Sequence, residues 1–141
     1  MSQLVDSTSS QTTTIREESD LLRVRSALRA EAQHVGMGLT AATKLITAGS
    51  ELARNIVRYA LHGQGEVIIE RIRDGERDGV RAIFSDTGPG IASVEDAMRD
   101  GFSTAGSLGL GLPGTRRLVD EFSIDSELGR GTTVVIAQWS R

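Results

Sequence analysis

The sequence has no cysteine, and this absence excludes disulfides, zinc–thiolate sites and cysteine nucleophiles. Aromatic residues make up only 4% of the 141 residues, so the core must be built from Leu, Ile, Val and Ala. No apolar run approaches the roughly 20 residues that span a bilayer. Residues 1–14 have neither the basic start nor the apolar centre of a signal peptide. We therefore expect a cytoplasmic protein with no membrane partner.

An excess of positive charge is also missing. The formal net charge is −3, so we expect no nucleic-acid partner. The two histidines, His34 and His62, stand far apart without ligand-like neighbours, and we expect no metal role for either. What is present is the composition of an ordinary globular chain, with 38% hydrophobic and 25% charged residues, at a length that suits one domain.

The first residues are rich in Ser, Thr and Gln, which predicts a disordered tail over 1–13 and a folded domain over 14–141, with a first strand around Thr12–Glu17. Two helical patterns follow. The first begins at Ser19 or Asp20 and ends at Gly36, and the second runs from a cap at Thr40 to Ala60 with a clear 3.6-residue period.

The rest of the chain reads mainly as strands and turns. The predicted elements are a β-hairpin (Glu66–Arg73 and Val80–Ser85 around the loop 74–79), a short helix (Val94–Arg99), a stretch of small residues (Asp100–Leu108), a helix (Leu112–Phe122) and a last strand pair (Ser123–Glu127 and Thr132–Trp139). Helices cluster early and strands pair antiparallel. This order predicts an α+β two-layer sandwich, with a mixed, mostly antiparallel sheet and the helices on one face.

The first segment that could carry chemistry is on the second helix. Glu51, Asn55 and Arg58 are spaced i, i+4, i+7 and so share one helix face. The Asn oxygen is a hard, neutral ligand that suits Mg²⁺, and a carboxylate could orient or deprotonate a nucleophile. The face could therefore receive a metal–triphosphate. The alternative is a solvated helix face with no function.

The second segment is Asp86-Thr-Gly88-Pro-Gly90-Ile91, directly after a predicted buried strand. An aspartate there can accept a hydrogen bond from an exocyclic amine, and glycines let the backbone approach a flat ring closely. The alternative is an ordinary strand-ending turn, for which Asp, Gly and Pro are the usual residues.

The third segment is Gly109-Leu110-Gly111-Leu-Pro-Gly, which leads into a helix. Backbone N–H groups and the helix dipole at such a position favour phosphate. The segment also fits the GxGxxG dinucleotide fingerprint, with Asp125 and Glu127 near the expected distance downstream. That fingerprint should follow a strand directly, whereas this one follows a loop. A Rossmann-type redox domain is therefore the lesser alternative.

Taken together in this order and spacing, the three segments and a final Gly-Thr-Thr strand resemble the Bergerat-fold (GHKL) ATPases, the superfamily of DNA gyrase B, Hsp90, histidine kinases and MutL. The resemblance covers roughly residues 39–139 and implies ATP and Mg²⁺ as cofactors. It implies roles at these positions: Asn55 for Mg²⁺, Glu51 as general base, Arg58 at phosphate, Asp86 for the adenine 6-amino group, Gly88, Gly90 and Ile91 in the turn beneath the base, Gly109, Leu110 and Gly111 in the lid, and Thr132 in support of the adenine site.

In its size and in the runs 50–55 and 109–118, the chain looks most like the stand-alone anti-sigma-factor serine/threonine kinases, in particular the stressosome switch kinases. This implies an ATP-dependent protein serine/threonine kinase in a partner-switching pathway, which phosphorylates a STAS-domain protein and activates a PP2C-type phosphatase. The sporulation anti-sigma kinase carries a lid arginine where this chain has Ser107. A nucleotide-gated protein-binding switch with little or no kinase activity therefore stays open as the alternative. We expect the stretch Asp100–Leu108 to be mobile without nucleotide.

Overall fold

Five strands and three helices follow one another in the computed structural model, which describes residues 5–59, 65–88, 98 and 111–140. The elements are β1 (Val5–Ile15), α1 (Asp20–His34), α2 (Leu39–Tyr59), β2 (Gly65–Asp74), β3 (Arg77–Asp86), α3 (Gly111–Leu118), β4 (Glu121–Glu127) and β5 (Gly131–Trp139). The predicted α+β class is confirmed. Within the described ranges, no helix is both long and apolar enough to cross a membrane.

The strands form one sheet in the order β1-β2-β3-β5-β4, and the described pairings are all antiparallel. The hairpin between β2 and β3 is tighter than the predicted loop 74–79. Asp74 pairs with Arg77, so only Gly75 and Glu76 remain in the turn. Gly75 has a φ of 65°, a left-handed conformation that glycine adopts without steric cost.

Alternation along the strands puts one apolar set against the helices. Val67, Phe84 and Val134 are opposite one another on β2, β3 and β5, and all three are buried. They belong to the same buried cluster as Leu28 of α1 and Leu45 of α2. The helices therefore cover this face of the sheet, as predicted. A smaller buried cluster, formed by Ile72, Ala137 and Trp139, is separate from it.

The two long helices approach each other closely at a glycine. A Cβ on Gly49 of α2 would lie 2.3 Å from Cδ1 of Leu28 on α1, so a larger side chain would require the Leu28 side chain or one of the helices to shift. Glycine at this helical position therefore serves packing, although it weakens the intrinsic helix preference. The contact fixes α2 against α1 and the sheet.

The N-terminal region differs from the predicted disordered tail. Residues 5–13 belong to β1, which pairs with β2 from Val5 opposite Asp74 to Ile15 opposite Gly65. Pairing satisfies backbone N–H and C=O groups whatever the side chains are, and the threonines of this segment favour an extended chain. The buried Ile15 anchors its end. The tail prediction is therefore corrected for residues 5–13.

The helix predicted over Leu112–Phe122 is shorter in the structure and ends at Leu118. The backbone N–H of Asp120 donates to Oε1 of the buried Gln138, and Glu121 already starts β4. Tertiary hydrogen bonding therefore ends the helix before its apolar pattern does. The short helix predicted over Val94–Arg99 lies outside the described residues except for Met98, and the stretch 100–108 lies outside them entirely.

Candidate functional site

A row of polar side chains crosses three strands where the apolar core ends. Asp86 of β3 is the register partner of Thr132 of β5, which is in turn opposite Ser126 of β4. By strand alternation these residues face the same side as Phe84 and Val134, the side that the helices cover. The helix-facing side of the sheet is thus apolar at Phe84 and Val134, and polar at the next residues on that side, Asp86 and Thr132.

The hydroxyl groups of this row are joined to each other. Oγ of Ser126 is 2.8 Å from Oγ1 of Thr132 and donates to the Gly131 carbonyl over 3.1 Å. A hydroxyl has one hydrogen, so when Ser126 donates to Gly131, the Thr132 hydroxyl donates to Ser126. The oxygen of Thr132 then keeps lone pairs that can accept a hydrogen bond beside Asp86.

The carboxylate of Asp86 is held in place by the turn that follows it. The backbone N–H of the buried Gly88 donates to Oδ1 of Asp86 over 2.9 Å. A carboxylate offers about four lone-pair sites on two oxygens, so one backbone hydrogen bond leaves it able to accept from an amine. The structure therefore brings Asp86, Gly88 and Thr132 together, and their role at adenine stays a prediction. Gly90 and Ile91 lie outside the described residues.

Two further glycines shape this end of the sheet, and the sequence alone did not indicate their roles. Gly131 has a φ of 105°, and a Cβ there would lie 2.0 Å from the carbonyl oxygen of Asp86. A Cβ on Gly65, the other register partner of Asp86, would lie 2.2 Å from Cγ2 of Ile56. β5 and α2 can therefore approach Asp86 only because residues 131 and 65 lack side chains.

The contact between Gly65 and Ile56 also locates the predicted face of α2. Asn55 immediately precedes Ile56, so the segment that carries it lies at the same end of the sheet as Asp86. Glu51, Asn55 and Arg58 are each half-buried rather than fully exposed. This partial burial argues against a fully solvated helix face.

The carboxylate of Glu51 has a definite partner. Nη1 of Arg54 is 2.7 Å from its Oε2, and the Glu51 side chain is only 15% exposed. An ion pair shielded from water keeps more of its strength than one on an open surface. Arg54 therefore holds the Glu51 carboxylate in one place. The i, i+3 spacing of the two residues was the available signal for this pair in the sequence.

Helix α3 packs against α2. It begins at Gly111, whose φ of 69° suits glycine, and the buried Thr115 donates its hydroxyl to the Gly111 carbonyl over 2.9 Å. The amides of a first helical turn and the helix dipole together attract an anion. Gly111 is thus at the start of a helix, as predicted, while Gly109 and Leu110 lie outside the described residues.

Comparison with known proteins finds a matching family model, a similar protein and a solved structure of similar fold. The family model for histidine kinase-, DNA gyrase B-, and HSP90-like ATPases matches residues 40–140. The chain is similar to the serine/threonine-protein kinase RsbT of Bacillus subtilis (strain 168), with 44% identity over 127 residues that cover 90% of this chain and 94% of that protein.

Among solved structures, the chain is similar to the RsbU and RsbW domains of Rv1364c from Mycobacterium tuberculosis. The TM-score is 0.66 and the sequence identity 23%, and the match covers 93% of this chain. It covers only 32% of the solved chain, so this protein spans about a third of that structure. At this level of identity the likeness shows the fold.

Proposed function

This chain belongs to the family of histidine kinase-, DNA gyrase B- and HSP90-like ATPases, and we propose from that premise that it is an ATP-dependent protein serine/threonine kinase. The observation that carries the proposal is the acceptor pair Asp86 and Thr132 at one end of the sheet. Helix α2, which approaches this end at Ile56, also carries Glu51, whose side chain is 15% exposed and paired with Arg54. The identity of 44% to a serine/threonine-protein kinase supports the same activity.

Asp86 and Thr132 would form the adenine end of the site. The fixed carboxylate of Asp86 suits the 6-amino group of adenine, a donor, because its second oxygen can accept while the first holds Gly88. Guanine presents an oxygen at the same position, which would repel the carboxylate. The close approach at Gly131 and the buried Gly88 suit a flat ring lying against backbone.

Asn55, Arg58 and Gly111 would form the phosphate end. The half-buried amide oxygen of Asn55 fits Mg²⁺, which prefers oxygen ligands and keeps several waters when it binds phosphates. The bound cation would neutralise charge on the triphosphate. Arg58 would contact a phosphate directly, and the start of α3 at Gly111 would supply backbone N–H groups. Gly90, Ile91, Gly109 and Leu110 complete the proposed nucleotide site by their place in the sequence.

Glu51 would be the catalytic residue. It is four residues before Asn55 on α2, so its carboxylate and the Asn55 amide lie on one face of the helix. In this position it would orient the hydroxyl of an incoming serine or threonine and accept its proton. Arg54 would be a positioning residue, since its ion pair fixes the carboxylate.

The proposed substrate is a serine or threonine of a STAS-domain protein, within a partner-switching stress or sigma-factor pathway in the cytoplasm. A PP2C-type phosphatase is the proposed second partner. Support comes from the similarity to a protein named RsbT along nearly its whole length, and from the fold shared with a structure that holds RsbU and RsbW domains.

A nucleotide-gated binding switch with little or no phosphotransfer is the second candidate. The specific observation in its favour is the Arg54–Glu51 ion pair, because a carboxylate engaged by a guanidinium has fewer lone pairs free for an incoming hydroxyl. Ser107, where a related kinase has arginine, points the same way.

Incubation of the chain with γ-labelled Mg·ATP and candidate STAS-domain proteins separates the two functions. Label on a serine or threonine of the partner supports the kinase. Partner binding that depends on ATP, without label at any time point, supports the switch and overturns the kinase. The Rossmann-type alternative is wrong, because it requires a mostly parallel sheet and the described strands pair antiparallel.

A further inference from the structure

A groove of about 470 Å³ runs between α1 and α2. Its floor is apolar, with Ala32 of α1 facing Ala42 and Ile46 of α2, and Met37 closes one end. The two alanines leave the space that larger side chains would fill. Helical periodicity puts Ile46 about 140° around α2 from Glu51. Thr47, which also lines the groove, is only about 40° from Glu51, so the groove borders the face that carries Glu51 while Ile46 is turned away from it.

The rim of the groove combines positive charge with an exposed leucine. Arg25 and Arg29 follow each other at i, i+4 on α1, and both are exposed. Leu39, at the start of α2, is 85% exposed. A large aliphatic side chain beside an apolar floor extends the surface that a partner could cover.

The two arginines of the rim differ from others in the chain. Arginines elsewhere pair with carboxylates of the same chain, among them Arg23, Arg73 and Arg81. Within the described residues, neither Arg25 nor Arg29 makes such a pair, and none of the residues lining the groove is acidic. The groove is thus locally cationic in a chain whose net charge is −3.

We propose that this groove docks an acidic, amphipathic helical segment of a protein partner. The groove extends about 12 Å along α1, from Arg25 to Gln33. This length corresponds to roughly two turns of a partner helix. Two apolar side chains of that helix at i and i+4 would enter over the alanine floor. Asp or Glu side chains beside them would pair with Arg25 and Arg29. The docking does not depend on phosphotransfer, since none of these residues belongs to the proposed nucleotide site.

A designed peptide tests this proposal directly. The probe is a helix-forming peptide with Leu at i and i+4 and Glu on both flanks, measured by fluorescence anisotropy with the full chain. Two peptides of the same length serve as comparisons, one with Lys in place of Glu and one with the Leu residues scrambled. We expect only the acidic amphipathic peptide to bind, and we expect salt to weaken its binding.

Charge reversal locates the binding. The double substitution Arg25→Glu with Arg29→Glu should lower affinity for the acidic peptide by at least about tenfold and allow the Lys peptide to bind. The matched control is Arg16→Glu with Lys44→Glu, which changes the net charge equally at exposed positions outside the groove. Leu39→Glu should also weaken binding, while Leu22→Glu, at a leucine 68% exposed outside the groove, should not.

The remaining outcomes overturn the proposal. Acidic-peptide binding no tighter than that of the scrambled peptide, or unchanged by the Arg25 and Arg29 reversal, would show that the groove does not select this partner. Equal or tighter binding to phosphatidylserine vesicles would indicate a lipid surface instead. Self-association that disappears on charge reversal would indicate a second copy of this chain. Unchanged ATP affinity and melting temperature in each variant confirm that the fold is intact.

Discussion

Asp86 and Thr132 are register partners on β3 and β5, at the row where the helix-facing side of the sheet turns from apolar to polar. The pairing joins residues that are far apart in the sequence, and it puts a carboxylate beside a hydroxyl that Ser126 orients. It depends on the backbone approach at Gly131. The close approach at Gly131 therefore shapes the turn between β4 and β5 and also positions the acceptor pair on which the proposed selectivity for adenine depends.

The first prediction concerns that selectivity. Asp86→Asn keeps an oxygen for the Gly88 N–H but replaces the second acceptor with an amide donor. Facing the 6-amino group of adenine, a mispaired donor costs about 1–3 kcal/mol, or roughly 5- to 150-fold in ATP affinity. Titration with ATP and GTP measures the effect. The control is Asp125→Asn, at an exposed position of β4 on the opposite face. Equal affinity of the unmodified protein for ATP and GTP would remove the Asp86 assignment.

The second prediction separates backbone strain from steric exclusion. Gly131→Ala and Gly129→Ala both put a side chain on a left-handed residue, which costs roughly 1–2 kcal/mol. Only at position 131 does the new Cβ also meet Asp86, because nothing lies within 4 Å of a Cβ on Gly129. Urea unfolding should show a larger loss for Gly131→Ala, and ATP titration should show weaker binding for that variant alone. Equal losses for both would mean that the contact with Asp86 relaxes freely.

The third prediction concerns a buried amide that ties α3 to its neighbours. Gln138 is 3% exposed; its Oε1 accepts from the Asp120 N–H, and its Nε2 donates to the Ala41 carbonyl. Gln138→Leu preserves volume but leaves the Asp120 N–H without its acceptor, while the Ala41 carbonyl keeps its hydrogen bond within α2, so the free energy of unfolding should fall by about 1–3 kcal/mol. The exposed Gln33→Leu is the control, and its effect should stay within about 0.5 kcal/mol. A neutral result at position 138 would show that water replaces the lost hydrogen bonds.

The fourth prediction concerns acid stability. The backbone N–H of Arg16 donates to the Asp20 carboxylate and holds its pKa below the ordinary value of 3.8; burial opposes this shift and the N–H of Glu17 adds to it. A lowered pKa stabilises the fold above the ordinary value, and this contribution is lost as pH falls through the folded-state pKa. Asp20→Ala should therefore be less stable than the unmodified protein at neutral pH. The difference should shrink below pH 3.8, as urea unfolding at several pH values would measure. A constant difference would contradict it.

Much of the fold followed from local pattern. Alternation predicted the β2–β3 hairpin, and the 3.6-residue period predicted α2, because both elements bury one apolar face. Only the end of β1, from Thr12 onward, was predicted as a strand, because the Ser- and Thr-rich residues before it have little apolar surface. Its order comes from backbone pairing along β2, which local composition does not report.

Part of the site could be predicted and part could not. Asp86 and Thr132 stand in recognisable motifs, so their roles were predicted from sequence order. The role of Gly131 was not predicted, because the sequence of a turn with two glycines does not reveal which of them contacts another strand. The pairing of Glu51 with Arg54 fits ordinary helix spacing. Its shielding from water is a tertiary property that spacing cannot predict.

The last prediction separates a kinase from a passive switch by way of Glu51. Its carboxylate is held by Arg54 and is on the same face of α2 as Asn55. If Glu51 accepts the proton of the incoming hydroxyl, Glu51→Ala should keep ATP affinity within a few-fold and lose about 10²–10⁴ in phosphotransfer rate. Asn55→Ala should lose both, because the metal-bound phosphates are then neither held nor neutralised.

Two further variants sharpen the assignment of Glu51. Arg54→Ala should lower the transfer rate less than Glu51→Ala, because the carboxylate remains but loses the cation that holds it. Glu76→Ala, in the exposed turn at the other end of the sheet, should leave both binding and transfer unchanged. Nucleotide titration and label transfer to a STAS-domain protein give both readouts. Transfer at the normal rate by Glu51→Ala would mean that another group accepts the proton, and that the Arg54–Glu51 pair only supports the helix.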